Sequence, residues 1–283
     1  MKNIKRIFAF GCSFTDYWWL TWPEILAQEL KVPVYNYGLC GGGNTYIFNT
    51  FCQADAQYKF TSDDLIITAW TNVAREDRHI KGNWITPGNI YTQNIYSKKY
   101  VKNWADPFGY LVRDLAYIHT VTSSMASRNI THYNFQMSNI IEHGDQQSTE
   151  QNIADSSDKS YQRIINLYQD SLKTLKDSFI KVLWDDDITS NKDKSDKKYF
   201  SVFSDGHPLP LEHLKYLETV LSIDFSTQTK TLVVEKQENF ISIINHQESI
   251  YKKGFHLFEL SDELQNKIKK ECKFNLELKP KVV

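Results

Sequence analysis

The chain has 283 residues, and its 33 Lys and Arg nearly balance 34 Asp and Glu, which gives a formal net charge of −1. This balance provides no electrostatic footprint for nucleic acid, and a hydrophobic fraction of 41% excludes a disordered chain. The 11 glycines are about half as frequent as the usual share of about 7%. A cluster of glycines in such a chain therefore indicates backbone that a side chain would obstruct.

In chain order, short apolar runs alternate with segments whose apolar residues recur at helical spacing. The predicted strands are residues 4–10, 32–37, 64–70, 129–137 and 179–184. The predicted helices are residues 22–30, 45–58, 107–127 and 161–176. The predicted loops are residues 75–105, 145–160 and 191–198. This alternation predicts an α/β fold, a three-layer α/β/α sandwich around a parallel sheet of about five strands.

The pattern changes after about residue 223. Residues 230–234 and 240–245 are typical of two strands of a hairpin, and residues 261–272 of a helix. We therefore predict a main domain over residues 1–223 and a small C-terminal extension over residues 224–283. The extension either forms a subdomain or adds strands to the sheet, and it could join the chain to an oligomer or a larger assembly.

The cysteines indicate a reducing compartment, because none of the four forms a C-x-x-C pair or a disulfide framework. The apolar run that follows the basic start is shorter than the core of a signal peptide. No stretch approaches the roughly 20 apolar residues of a membrane span. The histidines also lack metal-ligand spacing. We expect a cytoplasmic protein with no signal peptide, no membrane span, no metal and no cofactor.

Polar and glycine-rich loops follow the first three predicted strands. Ser13 comes after the first strand, Gly41 lies in the loop after the second, and Asn72 comes after the third. In open parallel sheets, ligands bind outside the carboxyl ends of the strands. We therefore expect these residues to converge. A fourth polar segment, which contains Asp205 and His207, lies far downstream.

These residues supply the parts that acyl transfer needs. A serine hydroxyl is a weak nucleophile and needs a base within hydrogen-bond reach, which His207 could provide for Ser13. Asp205 could fix the imidazole tautomer and stabilise the imidazolium. The N–H groups of Ser13 and Gly41 and the side-chain amide of Asn72 are candidate donors to the oxyanion.

The four segments resemble the blocks of the SGNH (GDSL-type) hydrolase family. The blocks of this family are a Ser after Gly-Asp, a Gly in an Asn-x-x-x-x-Gly turn, an Asn in a Gly-x-Asn-like turn and a late Asp-x-x-His. Ser13, Gly41 (five residues after Asn36), Asn72 and His207 match them in order, within residues 4–222. The resemblance implies a flavodoxin-like sheet and a serine esterase without a cofactor. Its catalytic residues would be Ser13, Asp205 and His207.

Two departures from the family pattern narrow the resemblance. Cys12 replaces the usual Asp before the serine, and Asp205 precedes His207 by two residues instead of three. Similar forms occur in SGNH-like proteins of phages and bacterial glycan gene clusters. The resemblance therefore implies O-deacetylation of a glycan, or hydrolysis of another small acyl ester, and adds a virion-associated location as an alternative. The absence of Gly-x-Ser-x-Gly argues against the hydrolases with a nucleophile elbow.

Other interpretations stay open. Ser13 could cap a helix, and Cys12 could be a rival nucleophile. The glycine cluster could cradle a phosphate, although it lacks the known phosphate-loop endings. The whole fold could also serve as a catalytically inactive glycan-binding or structural module, for example in a phage or surface assembly.

Three more residues are candidates for substrate binding. Asn44 closes the glycine-rich loop, and Trp70 and Arg75 flank Asn72. Aromatic side chains near a site can stack on sugar rings, although they lie in the core more often. Arg75 could bind a carboxylate or sulfate, or could equally form a surface ion pair.

Overall fold

The protein is built around one parallel sheet, described by a computed structural model over residues 4–91, 95–141, 159–184, 206–245, 261–274 and 277–278. The sheet strands are β1 (Arg6–Gly11), β2 (Val34–Gly38), β3 (Asp64–Trp70), β6 (Thr131–Gln136) and β7 (Glu277–Leu278). Strands β4 (Arg78–Ile80) and β5 (Asn83–Ile85) form a separate antiparallel hairpin. The sheet order is β6-β3-β1-β2-β7, with every neighbouring pair parallel. The first four strands therefore follow the flavodoxin-like order.

Helices cover both faces of the sheet. The helices of the described ranges are α1 (Trp22–Leu30), α2 (Asn44–Tyr58), α3 (Lys98–Trp104), α4 (Pro107–Ser127), α5 (Lys159–Leu167), α6 (Gln169–Leu172), α7 (Phe179–Trp184), α8 (Pro210–Leu221), α9 (Thr227–Asn245) and α10 (Asp262–Cys272). Ile7 and Ala9 of β1 pack in a core with α1, α7 and α8. Phe8 and Phe10 point to the other face and pack with α2 and α4. The predicted α/β/α sandwich is confirmed.

Two predictions of secondary structure are wrong. The predicted strand over residues 179–184 is the helix α7, and both predicted hairpin strands, 230–234 and 240–245, lie within the single helix α9. The periodicity of a short apolar run does not distinguish a buried strand from a buried helical turn. The sheet still has five strands, because β7 pairs with β2 at its edge. The predicted loop over residues 75–105 contains the β4–β5 hairpin and α3.

The C-terminal extension packs directly on the main domain. Phe240 of α9 and Ile268 of α10 share a third apolar cluster with Trp19. Lys273, just beyond α10, forms an ion pair with Asp16. None of the helices in the described ranges combines the length and apolarity that crossing a bilayer requires. The domain boundary after residue 223 stays a prediction.

Candidate active site

Ser13 lies in a tight turn directly after the central strand β1. The carbonyl of Cys12 accepts hydrogen bonds from the N–H groups of Thr15 at 2.9 Å and Asp16 at 3.2 Å, so the chain curls as the strand ends. Gly11 is needed here, because a Cβ would lie 2.0 Å from Oγ1 of Thr15. This turn fixes the backbone of Ser13 and places its hydroxyl at the carboxyl edge of the sheet.

The imidazole of His207 meets Ser13 across 194 positions of sequence. Its Nε2 lies 2.8 Å from Oγ of Ser13, which is hydrogen-bond distance. The chain next to His207 is held in place, because the indole N–H of Trp19 donates to the carbonyl of Pro208 at 2.8 Å. The structure thus brings together the predicted nucleophile and base. Asp205, predicted to orient the imidazole, lies outside the described residues.

Tyr17 is a site residue that the sequence motifs do not indicate. Its ring lies parallel to the imidazole of His207, with a centroid distance of 3.9 Å and an interplanar angle of 10°. Phe14 contacts the same imidazole at 5.5 Å. The rings of Tyr17 and Trp19 form a T-shaped pair with their centroids 4.7 Å apart. The imidazole is therefore confined by aromatic rings as well as by the serine.

The three predicted oxyanion donors make no hydrogen bonds within the described part of the chain. They are the N–H groups of Ser13 and Gly41 and the side-chain NH₂ of Asn72. The side-chain oxygen of Asn72 accepts from the N–H of Ala74 at 2.6 Å, which fixes the orientation of the amide. Asn72 follows β3, the neighbour of β1 in the sheet. All three groups therefore stay candidate donors to an oxyanion.

The loop after β2 is tied to the serine turn and to the segment after β5. The side chain of Asn36 donates to the carbonyl of Thr15 at 3.0 Å and accepts from the N–H of Gly38 at 2.9 Å. Gly41 has a φ of +75°, and a Cβ there would lie 2.2 Å from the carbonyl oxygen of Thr86. The atoms that exclude a side chain at Gly41 therefore belong to the protein itself.

Arg75 and Asp77 support the glycine turn, which we define as residues 41–43. The guanidinium of Arg75 donates to the carbonyl of Gly42 at 2.8 Å. The carboxylate of Asp77 accepts from the N–H groups of Gly43 and Tyr46, each at 2.9 Å. It thereby satisfies N–H groups that the start of α2 leaves without intrahelical partners. Burial raises the pKa of Asp77.

Asn44 and Trp70, predicted to bind substrate, are instead used inside the protein. Both are fully buried. The amide of Asn44 donates to Asp114 at 2.7 Å and accepts from the N–H of Thr71 at 2.8 Å. The indole of Trp70 donates to the side chain of Asn134 at 2.8 Å. Neither side chain is within reach of a ligand, so both support the loops after β2 and β3.

The sulfur of Cys12 points into the core. Cys12 is 1% exposed, and its Sγ lies 3.9 Å from Sδ of Met137. A buried thiol of this kind behaves as a small apolar side chain. Among the described residues, no group of three or more His, Cys, Asp or Glu side chains could hold a metal ion.

No family model and no curated protein matches the chain. Solved structures match at low identity. One, described provisionally as a lipolytic protein of the G-D-S-L family from Desulfitobacterium hafniense, is 15% identical, with coverage of 63% of this chain and 79% of that chain and a TM-score of 0.33. The esterase EstA from Pseudoalteromonas sp. is 9% identical, with coverage of 77% and 97% and a TM-score of 0.39. A protein described provisionally as an acylhydrolase from Bacteroides fragilis is 14% identical, with coverage of 62% and 69% and a TM-score of 0.32.

Proposed function

We propose that the protein is a serine esterase that hydrolyses a small acyl ester through an acyl-enzyme. The observation that carries this proposal is the 2.8 Å contact between Oγ of Ser13 and Nε2 of His207. It lies at the carboxyl edge of β1, beside β3. In a sheet of this order, the chain moves from one side of β1 to the other at this point, and ligands bind in the crevice that results.

In the proposed reaction, Oγ of Ser13 attacks the acyl carbon while Nε2 of His207 takes the hydroxyl proton. The negative charge on the carbonyl oxygen is stabilised by the N–H groups of Ser13 and Gly41 and by the amide of Asn72. When the tetrahedral intermediate collapses, the imidazolium gives its proton to the departing alkoxide. Water then attacks the acyl-serine with His207 again as the base, which releases the acid and restores Ser13.

Asp205 completes the proposed catalytic set by orienting His207, a role that rests on the family resemblance. The proposed acyl group is acetyl and the proposed alcohol is a glycan. The near-neutral chain favours a neutral ester, because it provides no strong field to attract a charged substrate.

The proposal is tested with a fluorophosphonate label and with p-nitrophenyl acetate hydrolysis. Ser13→Ala should abolish labelling and lower kcat by a factor on the order of 10³ or more, because the nucleophile is lost. Ser138→Ala is a matched control, since Ser138 is equally buried and its hydroxyl has no hydrogen-bond partner among the described residues. It should label and hydrolyse as the wild type does.

The same experiment separates the esterase from the alternative of an inactive binding module. Hydrolysis by Ser13→Ala at the wild-type rate would contradict the proposed mechanism. Loss of labelling in Ser138→Ala but not in Ser13→Ala would show that Ser138, and not Ser13, is the nucleophile. The Ser13–His207 hydrogen bond favours the esterase, because a binding module has no need to pair a serine with a base.

A further inference from the structure

A cleft of about 480 Å³ opens next to the segment that supports the glycine turn. This volume lies within the range of small-molecule sites. Its walls come from the segment that leads into β4 and the first residue of β4, from α3 and from the first two turns of α4. The residues of the lining that matter here are Glu76, Arg78, Tyr100, Trp104, Asp106 and Arg113. None of them belongs to the proposed catalytic set.

The segment from Arg75 to Arg78 connects this cleft with the proposed active site. Successive side chains of an extended segment point to opposite sides, so every second side chain points the same way. Arg75 and Asp77 hydrogen-bond the backbone of the glycine turn. Glu76 and Arg78, which alternate with Arg75 and Asp77 along the chain, line the cleft. The two sites therefore share one short piece of backbone, and a ligand in the cleft lies on the opposite side of the segment that holds Gly42.

The inner wall of the cleft is a fixed polar network. The carboxylate of Glu76 accepts hydrogen bonds from Tyr100 at 2.8 Å and also from Tyr110 and Arg78. The guanidinium of Arg78 lies 5.4 Å from the ring centroid of Tyr100, and that of Arg113 lies 4.8 Å from the ring of Tyr110. A network with several mutual bonds holds its members in place before a ligand arrives.

The rim of the cleft combines an exposed aromatic ring with polar atoms that can hydrogen-bond to a ligand. Trp104 ends α3 and is 71% exposed, although tryptophan is usually largely buried. Its indole N–H has no hydrogen bond within the described ranges. Asp106 is exposed and caps α4 with one oxygen, Oδ1, which accepts from the N–H of Phe108 at 3.1 Å. The other oxygen can accept from a ligand.

The charges of the cleft cancel, because Arg78 and Arg113 are matched by Glu76 and Asp106. A cleft of this kind does not select an anion or a cation by its field. It offers instead one flat apolar face with donors and acceptors around it. A pyranose ring has the complementary surface: an apolar face of C–H groups and an equatorial rim of hydroxyls, which both donate and accept.

We propose that this cleft binds a neutral sugar unit of the ester substrate, with the ring stacked on Trp104 and its hydroxyls bound by Asp106 and Arg78. This inference deepens the proposed function and rests on it for the identity of the ligand as part of an ester. The segment from Arg75 to Arg78 separates the sugar from the glycine turn, so the glycan would pass around this segment to bring an acetylated unit further along the chain to Ser13. Exposure of Trp104 and Arg78 to solvent suits a unit inside a longer chain.

The test measures binding in a Ser13→Ala background, so that no hydrolysis is needed for the readout. An array of neutral oligosaccharides (xylan, cellulose, mannan, starch and chitin fragments, with and without acetyl esters) identifies a ligand, and calorimetry gives its affinity. Adding Trp104→Ala should weaken binding by roughly tenfold or more, as expected for loss of an aromatic stacking partner. Leu167→Ala is the matched control, because Leu167 is 70% exposed and lies on α5 outside the cleft lining.

The inference is overturned if no oligosaccharide of the array binds, or if Trp104→Ala binds as tightly as its parent. It is also overturned if the parent protein is a dimer that Trp104→Ala dissociates without changing glycan affinity, since the cleft would then be a contact between two copies of the chain. Binding that depends on Trp104 in a protein whose wild type hydrolyses no ester would contradict the proposed esterase and leave the sugar site standing.

Discussion

The imidazole of His207 has a serine hydroxyl at Nε2 and the face of Tyr17 along its ring. A stacked ring restricts rotation of the imidazole about its χ2 angle, which keeps Nε2 aimed at Ser13. A base that is already oriented does not have to be ordered during the reaction. The electron-rich face of a tyrosine also attracts the imidazolium that forms when the serine proton is transferred. Tyr17 is therefore a positioning residue for the proposed base.

Tyr17→Ala should lower kcat for p-nitrophenyl acetate by roughly tenfold and leave KM nearly unchanged, because the base is misplaced while the acyl pocket stays intact. Tyr17→Phe retains the stacked ring and should keep most of the activity. Steady-state kinetics of the wild type and the two variants measure kcat and KM, and thermal melts confirm that each protein is folded. A Phe variant as impaired as the Ala variant would assign the effect to the hydroxyl and reject the stacking role.

At this scale the sequence predicts residues that carry a motif and misses those that carry only a contact. Ser13 and His207 belong to ordered blocks, whereas Tyr17 has no pattern that shows it stacking on a residue 190 positions later. Trp70 could have been excluded, because alternation along β3 places it on the same face as the buried Ile66. Position after a strand says that a residue is near the sheet edge, but not which way its side chain points.

Among the elements, α9 has the largest effect on the proposed active site, because it is a helix that packs on the segment carrying His207. The sequence predicts two hairpin strands in this segment, yet the segment forms a helix that places the ring of Phe240 against Trp19, with ring centroids 4.6 Å apart. Trp19 in turn donates its indole N–H to Pro208, the residue after His207. The C-terminal extension thus buttresses the loop that carries the proposed base.

Phe240→Ala should destabilise the protein by about 3–5 kcal/mol, the usual cost of removing a buried aromatic ring. It should also lower kcat, because Trp19 loses the wall that holds it against Pro208. Urea unfolding and p-nitrophenyl acetate kinetics measure the two effects. Val234→Ala is the control on the same helix, since Val234 is 38% exposed and should change neither quantity appreciably. If Phe240→Ala lost stability but kept the wild-type kcat, α9 would not contribute to the position of His207.

The sequence predicts the bounds of elements that carry strong local signals. The bounds of α1, α4 and β3 agree with the sequence-based ranges, because Pro stands near the start of both helices and β3 is a continuous apolar run before polar residues. The segments of α7 and α9 lack such signals. Their conformation is decided by packing against α8 and the sheet, which a local pattern does not contain.

For the whole molecule, the sequence predicts the layers but not the path of the last strand. Alternating strands and helices require a parallel sheet with helices on both faces. Strand β7, residues 277–278, pairs with β2 and becomes the edge strand of the sheet. In the chain it comes after α9 and α10, two helices that pack on the main domain. Such a long-range pairing depends on the packing of everything before it.

The stability of the whole molecule should depend on pH through His213, which lies on α8 in the core. His213 is 1% exposed, and its Nδ1 has no hydrogen-bond partner among the described residues. Burial, with a smaller contribution from the charge of His207, lowers the pKa of His213 to about 3. The unfolded chain binds a proton near the ordinary histidine pKa of about 6.5, whereas the folded protein does not. Stability is therefore lost as the pH falls below about 6.5.

His213→Leu, which fills a similar volume, should remove this dependence. From pH 8 to pH 5, the free energy of unfolding of the wild type should fall by about 2 kcal/mol more than that of the variant, since one pKa unit corresponds to about 1.4 kcal/mol. Asp114 acts in the opposite direction, because burial raises its pKa to about 6, but it is present in both proteins and cancels in the comparison. Urea unfolding at several pH values gives the two slopes, and His79→Leu is the control, because His79 is exposed on β4. Parallel pH profiles for wild type and His213→Leu would mean that His213 gains its proton within the folded protein, and that the core around α8 opens to water before the molecule unfolds.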